Sequence, residues 1–206
     1  MNDTLTIHSF GLNDRSGKIR WLAYELGLPI AEISVEMGTH RQFPYRDLNP
    51  YAAIPTVQWR DETLIESSAI CTYVAEHFPD KALIVSPGET DRARYLQWLS
   101  VCSNTLETKL VEYFLAGVGL QPAEIRPLTE RSLAFKLRVA IEQMPETGFL
   151  AGDRFTLADI ALAYCLRLAI NSKLIEFEQV AGYLTPLMAR QAAKDSGFFK
   201  SMVVNK

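Results

Sequence analysis

A chain of 206 residues, 48% hydrophobic and 22% charged, has room for one large or two small globular domains, and its composition excludes disordered and fibrous classes. With 21 Lys+Arg against 24 Asp+Glu the net charge is -3, and no cationic stripe marks a nucleic-acid binder. No apolar run is long enough for a membrane span, and the first twenty residues lack a basic start followed by an apolar run, so no secretory signal is expected; three scattered cysteines (Cys71, Cys102, Cys165) suit buried thiols in a cytosolic compartment.

Leu5 to Phe10 alternates and carries β-branched and aromatic residues, which predicts a first strand. From Lys18 to Leu28 the side chains of Ile19, Leu22, Ala23 and Leu26 share one helical face, with Gly27 as its stop. Ala31 to Met37 is a second strand, so the first forty residues form a β-α-β unit with parallel strands. After an irregular stretch, Ile54–Trp59 and Thr63–Ile65 are two further strands about a turn at Asp61-Glu62. A helix follows from Ser67 and stops before Pro79. Residues 1–79 are therefore a small α/β domain, and 80–88, with its prolines and glycine, is a linker.

No convincing strand follows. Residues 89–116, 127–144 and 157–170 read as helices, the last so apolar that it belongs at the centre of a bundle, and a weaker helix lies near 183–194. Thr156 to Asp159 opens the central helix as a capping box with Asp in place of Glu. Residues 89–206 form an all-α domain.

Two chemistries are excluded on spacing. Gly11 to Ile19 imitates a nucleotide loop, but five residues separate the glycines and Ile19 stands where a magnesium-binding hydroxyl is needed. Three histidines and three scattered cysteines give no metal-ligand pattern, so no metal site is expected.

Two other segments carry more. If the Ile54-Pro55 bond is cis, the N–H and C=O of Ile54 turn outward and can pair with an extended peptide ligand; a trans proline would only open a strand. Glu66-Ser67 stands where a strand meets a helix. The helix-start amides with Ser67 can hold a carboxylate and Glu66 an ammonium, the two charges of an α-amino acid; otherwise Ser67 is an N-cap and Glu66 a solvated charge.

Taken together, SFGLNDRSGKIRWLAYELGLP at 9–29, RDLNPYAAIPTV at 46–57, LIESSAICTYV at 64–74 and FTLADIALA at 155–163 resemble the cytosolic glutathione S-transferase superfamily over essentially the whole chain. The resemblance implies a thioredoxin-like α/β first domain, an all-α helical second domain and a homodimer with one glutathione site per subunit. It matches Pro55 to the family's cis-proline, Ile54 to the residue that pairs with the cysteinyl part of glutathione, and Glu66 and Ser67 to the pair holding the γ-glutamyl head. His40 matches more loosely a residue contacting the glycine carboxylate. Asp159 takes a folding role.

The family lowers the pKa of the bound thiol by hydrogen bonding to its thiolate. Here Ser9 stands at the Tyr position and Asn13 at the Ser/Cys position, so Asn13 ranks first as thiolate donor, then Ser16, Arg15 and Ser9; the start amides of the first helix should add to the effect. The expected reaction is attack of glutathione thiolate on a small hydrophobic electrophile, in a pocket between the domains with Phe10, Leu12 and Tyr113 among its members. A glutathione-dependent reductase acting on a peroxide or disulfide is the first alternative. A non-catalytic regulatory protein on the same fold is the second. No membrane or nucleic-acid partner is expected.

Overall fold

The computed structural model describes residues 3–11, 14–146 and 148–202. They fall into two compact units: residues up to 84 together with 190–201, and residues 85–189 with Met202.

The first unit is a four-stranded sheet in the order β2-β1-β3-β4, built from β1 (Leu5–Ser9), β2 (Ile30–Ser34), β3 (Thr56–Trp59) and β4 (Glu62–Ile65). β1 and β2 are parallel, joined through helix α1 (Ser16–Leu26). Gly27, at φ 74°, ends α1 in the left-handed conformation that suits glycine, and the Leu28 N–H reaches back to the Ala23 carbonyl at 2.9 Å. β3 runs antiparallel to both β1 and β4, and the β3–β4 turn falls at Arg60-Asp61, with Arg60 at φ 55°, one residue before the expected position. Helix α2 (Tyr45–Leu48) occupies part of the stretch with no periodicity, and α3 (Ser67–Glu76) follows β4. The sheet core is Leu5, Ile7, Val57 and Trp59, against Ile19 and Leu22 of α1 and Ile70 and Val74 of α3.

In the second unit the stretch read as one helix over 89–116 is α4 (Arg92–Ser100), a π-helical segment (Val101–Glu107) and α5 (Thr108–Gly117). The wider π turns are local and leave no mark in apolar spacing. Helix α6 (Ile125–Gln143) and helix α7 (Leu157–Asn171) follow, and every residue of α7 from Leu157 to Ile170 is buried, as a central helix requires. The weak last helix is two, α8 (Ala181–Ala189) and α9 (Gln191–Asp195), with extended Arg190 between them.

Residues 190–201 belong to the first unit, although nothing in their composition separates them from the helical stretch before them. Arg190 forms a two-point ion pair with Glu25 of α1 at 2.7 and 2.8 Å. Phe198 and Phe199 meet the Trp21 ring at centroid distances of 4.8 and 5.5 Å. Contacts thus assign residues 85–189 and Met202 to the second unit; the sequence reading has a linker over 80–88 and a helical domain over 89–206.

Candidate functional site

The expected ligand-binding segments of the first unit meet at one end of its sheet. β1 ends at Ser9, β3 begins at Thr56 and β4 ends at Ile65, and these ends are neighbours because His8 pairs with Thr56 and Thr56 with Ile65. One step beyond those pairs the chain leads to Phe10, to Ile54-Pro55 and to Glu66-Ser67. Ligand sites commonly form where strand ends leave such a crevice.

The Ile54-Pro55 bond is cis. Among the described residues neither the N–H nor the C=O of Ile54 makes a hydrogen bond, although its side chain is buried. The turn before it is held from beneath. The Tyr45 hydroxyl donates to the Ala53 carbonyl at 2.9 Å and lies 2.6 Å from Thr56 Oγ1, while Asn49 Nδ2 donates to the same carbonyl at 3.0 Å. Burial raises the Tyr45 phenol above its ordinary range, so it stays protonated and able to donate.

Glu66 has φ 65° and its side chain is exposed, with no ion-pair partner among the described residues. A positive φ at a non-glycine residue at a strand–helix junction costs on the order of 1–3 kcal/mol and is characteristic of binding sites. Ser67 is buried, and its hydroxyl makes no hydrogen bond to another described residue.

His40 lies at 8% exposure with its ring edge-on to Phe10, centroids 5.0 Å apart. Its Nδ1 accepts the Gly38 N–H at 3.2 Å, which leaves the proton on Nε2. Burial, reinforced by the charge of Arg41, lowers its pKa below the usual histidine value and keeps the ring neutral at pH 7.

The expected thiolate donors fare differently. Leu12 and Asn13 lie outside the described residues. Ser9 is buried at 1% exposure; its hydroxyl accepts from Arg20 at 2.8 Å and faces Glu32 at 3.4 Å, beside an ion pair between buried Arg20 and exposed Glu32. The Ser16 hydroxyl contacts Asp14 and the Gly11 carbonyl. Arg15 is the half-buried residue before α1. The first amides of α1, expected to help stabilise a thiolate, are already taken: Ser16 N–H by the Asp14 carboxylate at 2.7 Å, Gly17 N–H by the Asp14 carbonyl at 3.2 Å and Lys18 N–H by the Arg15 carbonyl at 3.3 Å.

Sequence reasoning passed over Asp14 and Tyr45. An Asp two residues before a helix is a recognisable capping signal. Tyr45 had no local signal, since its role comes from reaching across to Ala53 and Thr56.

In the second unit, Tyr113 is buried in α5 under the Arg126 guanidinium, which lies 4.3 Å from its ring and donates to its hydroxyl at 3.0 Å. Among the described residues no cluster of three or more His, Cys, Asp or Glu could hold a metal, and no helix is long and apolar enough to cross a membrane.

The model of the glutathione S-transferase N-terminal domain matches residues 15–82. Glutathione S-transferase F9 of Arabidopsis thaliana is 32% identical over 66% of this chain and 68% of its own length. A stringent starvation protein A homolog of Coxiella burnetii is 30% identical, covering 77% of this chain and 73% of its own. The fold is similar to that of glutathione transferase URE2P6 from Phanerochaete chrysosporium, solved with oxidized glutathione: TM-score 0.80 at 23% identity, over 93% of this chain and 94% of that one. The chain belongs to the glutathione S-transferase superfamily.

Proposed function

We propose that this chain binds glutathione at the sheet end of its first unit and uses the thiol as a nucleophile towards a small hydrophobic electrophile. The observation that carries the reading is the pair of unpartnered backbone groups at Ile54, spaced to pair with the cysteinyl part of the tripeptide as an added strand would. Beside it, the exposed Glu66 carboxylate suits the γ-glutamyl ammonium, and the Ser67 hydroxyl with the α3 start suits its carboxylate. Neutral His40 can donate from Nε2 to the glycine carboxylate.

In the reaction the thiol gives up its proton to water, the sulfur forms a bond to the electrophilic carbon, and the leaving group departs with the bonding electron pair. Asn13 and Arg15 are the proposed donors to the sulfur, whereas the Ser16 hydroxyl is engaged by Asp14 and the Ser9 hydroxyl by Arg20. The chain is proposed to work as a homodimer.

The relative named as a stringent starvation protein A homolog supports a second, non-catalytic reading on the same fold. Calorimetric titration with reduced glutathione, with Glu66→Ala as control, separates the two. Binding that is lost in the control, together with turnover of an aryl halide, a peroxide or a disulfide, supports the enzyme and identifies its reaction. No binding at millimolar glutathione sinks it.

A further inference from the structure

Asp14, just before α1, ties the residue after β1 to the first residue of the helix. Asp14 Oδ2 accepts the Phe10 N–H at 2.6 Å and Oδ1 accepts the Ser16 N–H at 2.7 Å, with the Ser16 hydroxyl against the same Oδ1. A helix start is electropositive because its first amides have no partner within the helix. Here the chain supplies its own anion, and with the bonds to Gly17 and Lys18 no amide of the first three helical residues is left over. The carboxylate also acts on Tyr45, adding to the effect of burial on that phenol, so its field extends to the side chain that holds the Ala53 carbonyl beside Ile54.

We propose that Asp14 sets the acidity of the bound glutathione thiol: by occupying the α1 start with a negative charge, it keeps the sulfur protonated to higher pH than the same helix start would with a neutral residue. The inference rests on the glutathione reading above. Asp14 acts through the helix start and its field, as a positioning residue, and need not touch the sulfur. The charged and titratable groups around it are Arg15, next to it in the chain, Tyr45 on α2, which feels its charge, and His40, whose ring packs on Phe10 and lies in the field of Arg41. His40 is neutral at pH 7, which leaves Arg15, beside Asp14 in sequence, and Arg41, beside His40, as nearby positive charge.

The consequence is a reaction that accelerates with alkalinity above pH 7. The test follows the ultraviolet absorbance of the glutathione thiolate bound to the wild-type protein, to Asp14→Asn and to Asp14→Glu, between about pH 5 and about pH 9. The wild-type midpoint is expected above about 7, closer to a free thiol near 8.5 than to a strongly activated one. Asp14→Asn should lower it by about one unit, a tenfold larger thiolate fraction on the acid side. Asp14→Glu, which keeps the charge and disturbs the loop, should leave the midpoint near that of the wild type.

An unchanged or higher midpoint in Asp14→Asn overturns the proposal, as does an equal fall in Asp14→Glu, which would assign the effect to loop geometry. A wild-type midpoint below about 7 overturns it even if the Asn variant does not fold. If the wild-type protein binds no glutathione, the proposed function fails and this inference with it; binding without the shift sinks the inference alone.

Discussion

The hydroxyl of Tyr183 on α8 donates a 2.8 Å hydrogen bond to Oδ1 of Asp159 on α7. The same carboxylate accepts the Leu150 N–H at 3.0 Å and the Thr156 N–H at 2.8 Å, and Thr156 Oγ1 lies 3.1 Å away. One fully buried acid therefore caps the central helix and joins it to the segment before it and the helix after it.

Asp159→Ala should cost about 3 kcal/mol, because it removes the N3 half of the capping box and strands buried donors at Leu150, Thr156 and Tyr183. Urea unfolding followed by circular dichroism measures it, and a loss under about 1 kcal/mol would show the donors finding other partners. Burial, prevailing over these hydrogen bonds, raises the Asp159 pKa above the ordinary aspartate value of 3.8. Between 3.8 and the raised value the folded protein holds a proton that the unfolded chain releases, so this group's contribution to stability is full below 3.8 and declines as pH rises. Asp159→Asn should remove that slope, read as the difference between the two proteins' urea midpoints across mildly acid pH.

Tyr45→Phe removes the hydroxyl that donates to Ala53 and leaves buried Thr56 Oγ1 with only the Asn49 amide at 3.3 Å. About 1–2 kcal/mol of stability should go. The turn before Ile54 should loosen, weakening glutathione binding about tenfold in calorimetry. Full affinity in a destabilised variant would limit Tyr45 to a folding role.

Ser67→Ala should weaken glutathione binding about fivefold to tenfold, the loss of one hydrogen bond to a carboxylate, while the thermal midpoint stays within about a degree because the hydroxyl has no partner among the described residues. A large fall in the thermal midpoint would make Ser67 a structural cap instead.

Phe198→Ala opens a cavity beside Trp21 in the first unit and should destabilise it by about 3–4 kcal/mol. Trp21 is fully buried, so its fluorescence should shift towards that of a water-exposed indole. An unchanged spectrum and stability would detach residues 190–201 from the first unit.

Periodicity by itself determined the β-α-β-β-β-α order and the buried central helix, because alternation in Leu5–Ser9 and the unbroken apolar run of Leu157–Ile170 are local properties of the chain. Short motifs indicated Ile54-Pro55, Glu66-Ser67 and the Thr156–Asp159 cap, since proline, strand–helix junctions and capping boxes carry local chemistry. Only the tertiary structure decided that residues 190–201 return to α1, that Tyr45 supports the Ile54 turn, and that the hydroxyls of Ser9 and Ser16 are engaged by Arg20 and Asp14. Each depends on which partner lies across a turn or at the far end of the chain, and residue spacing has no term for a side chain's partner in space.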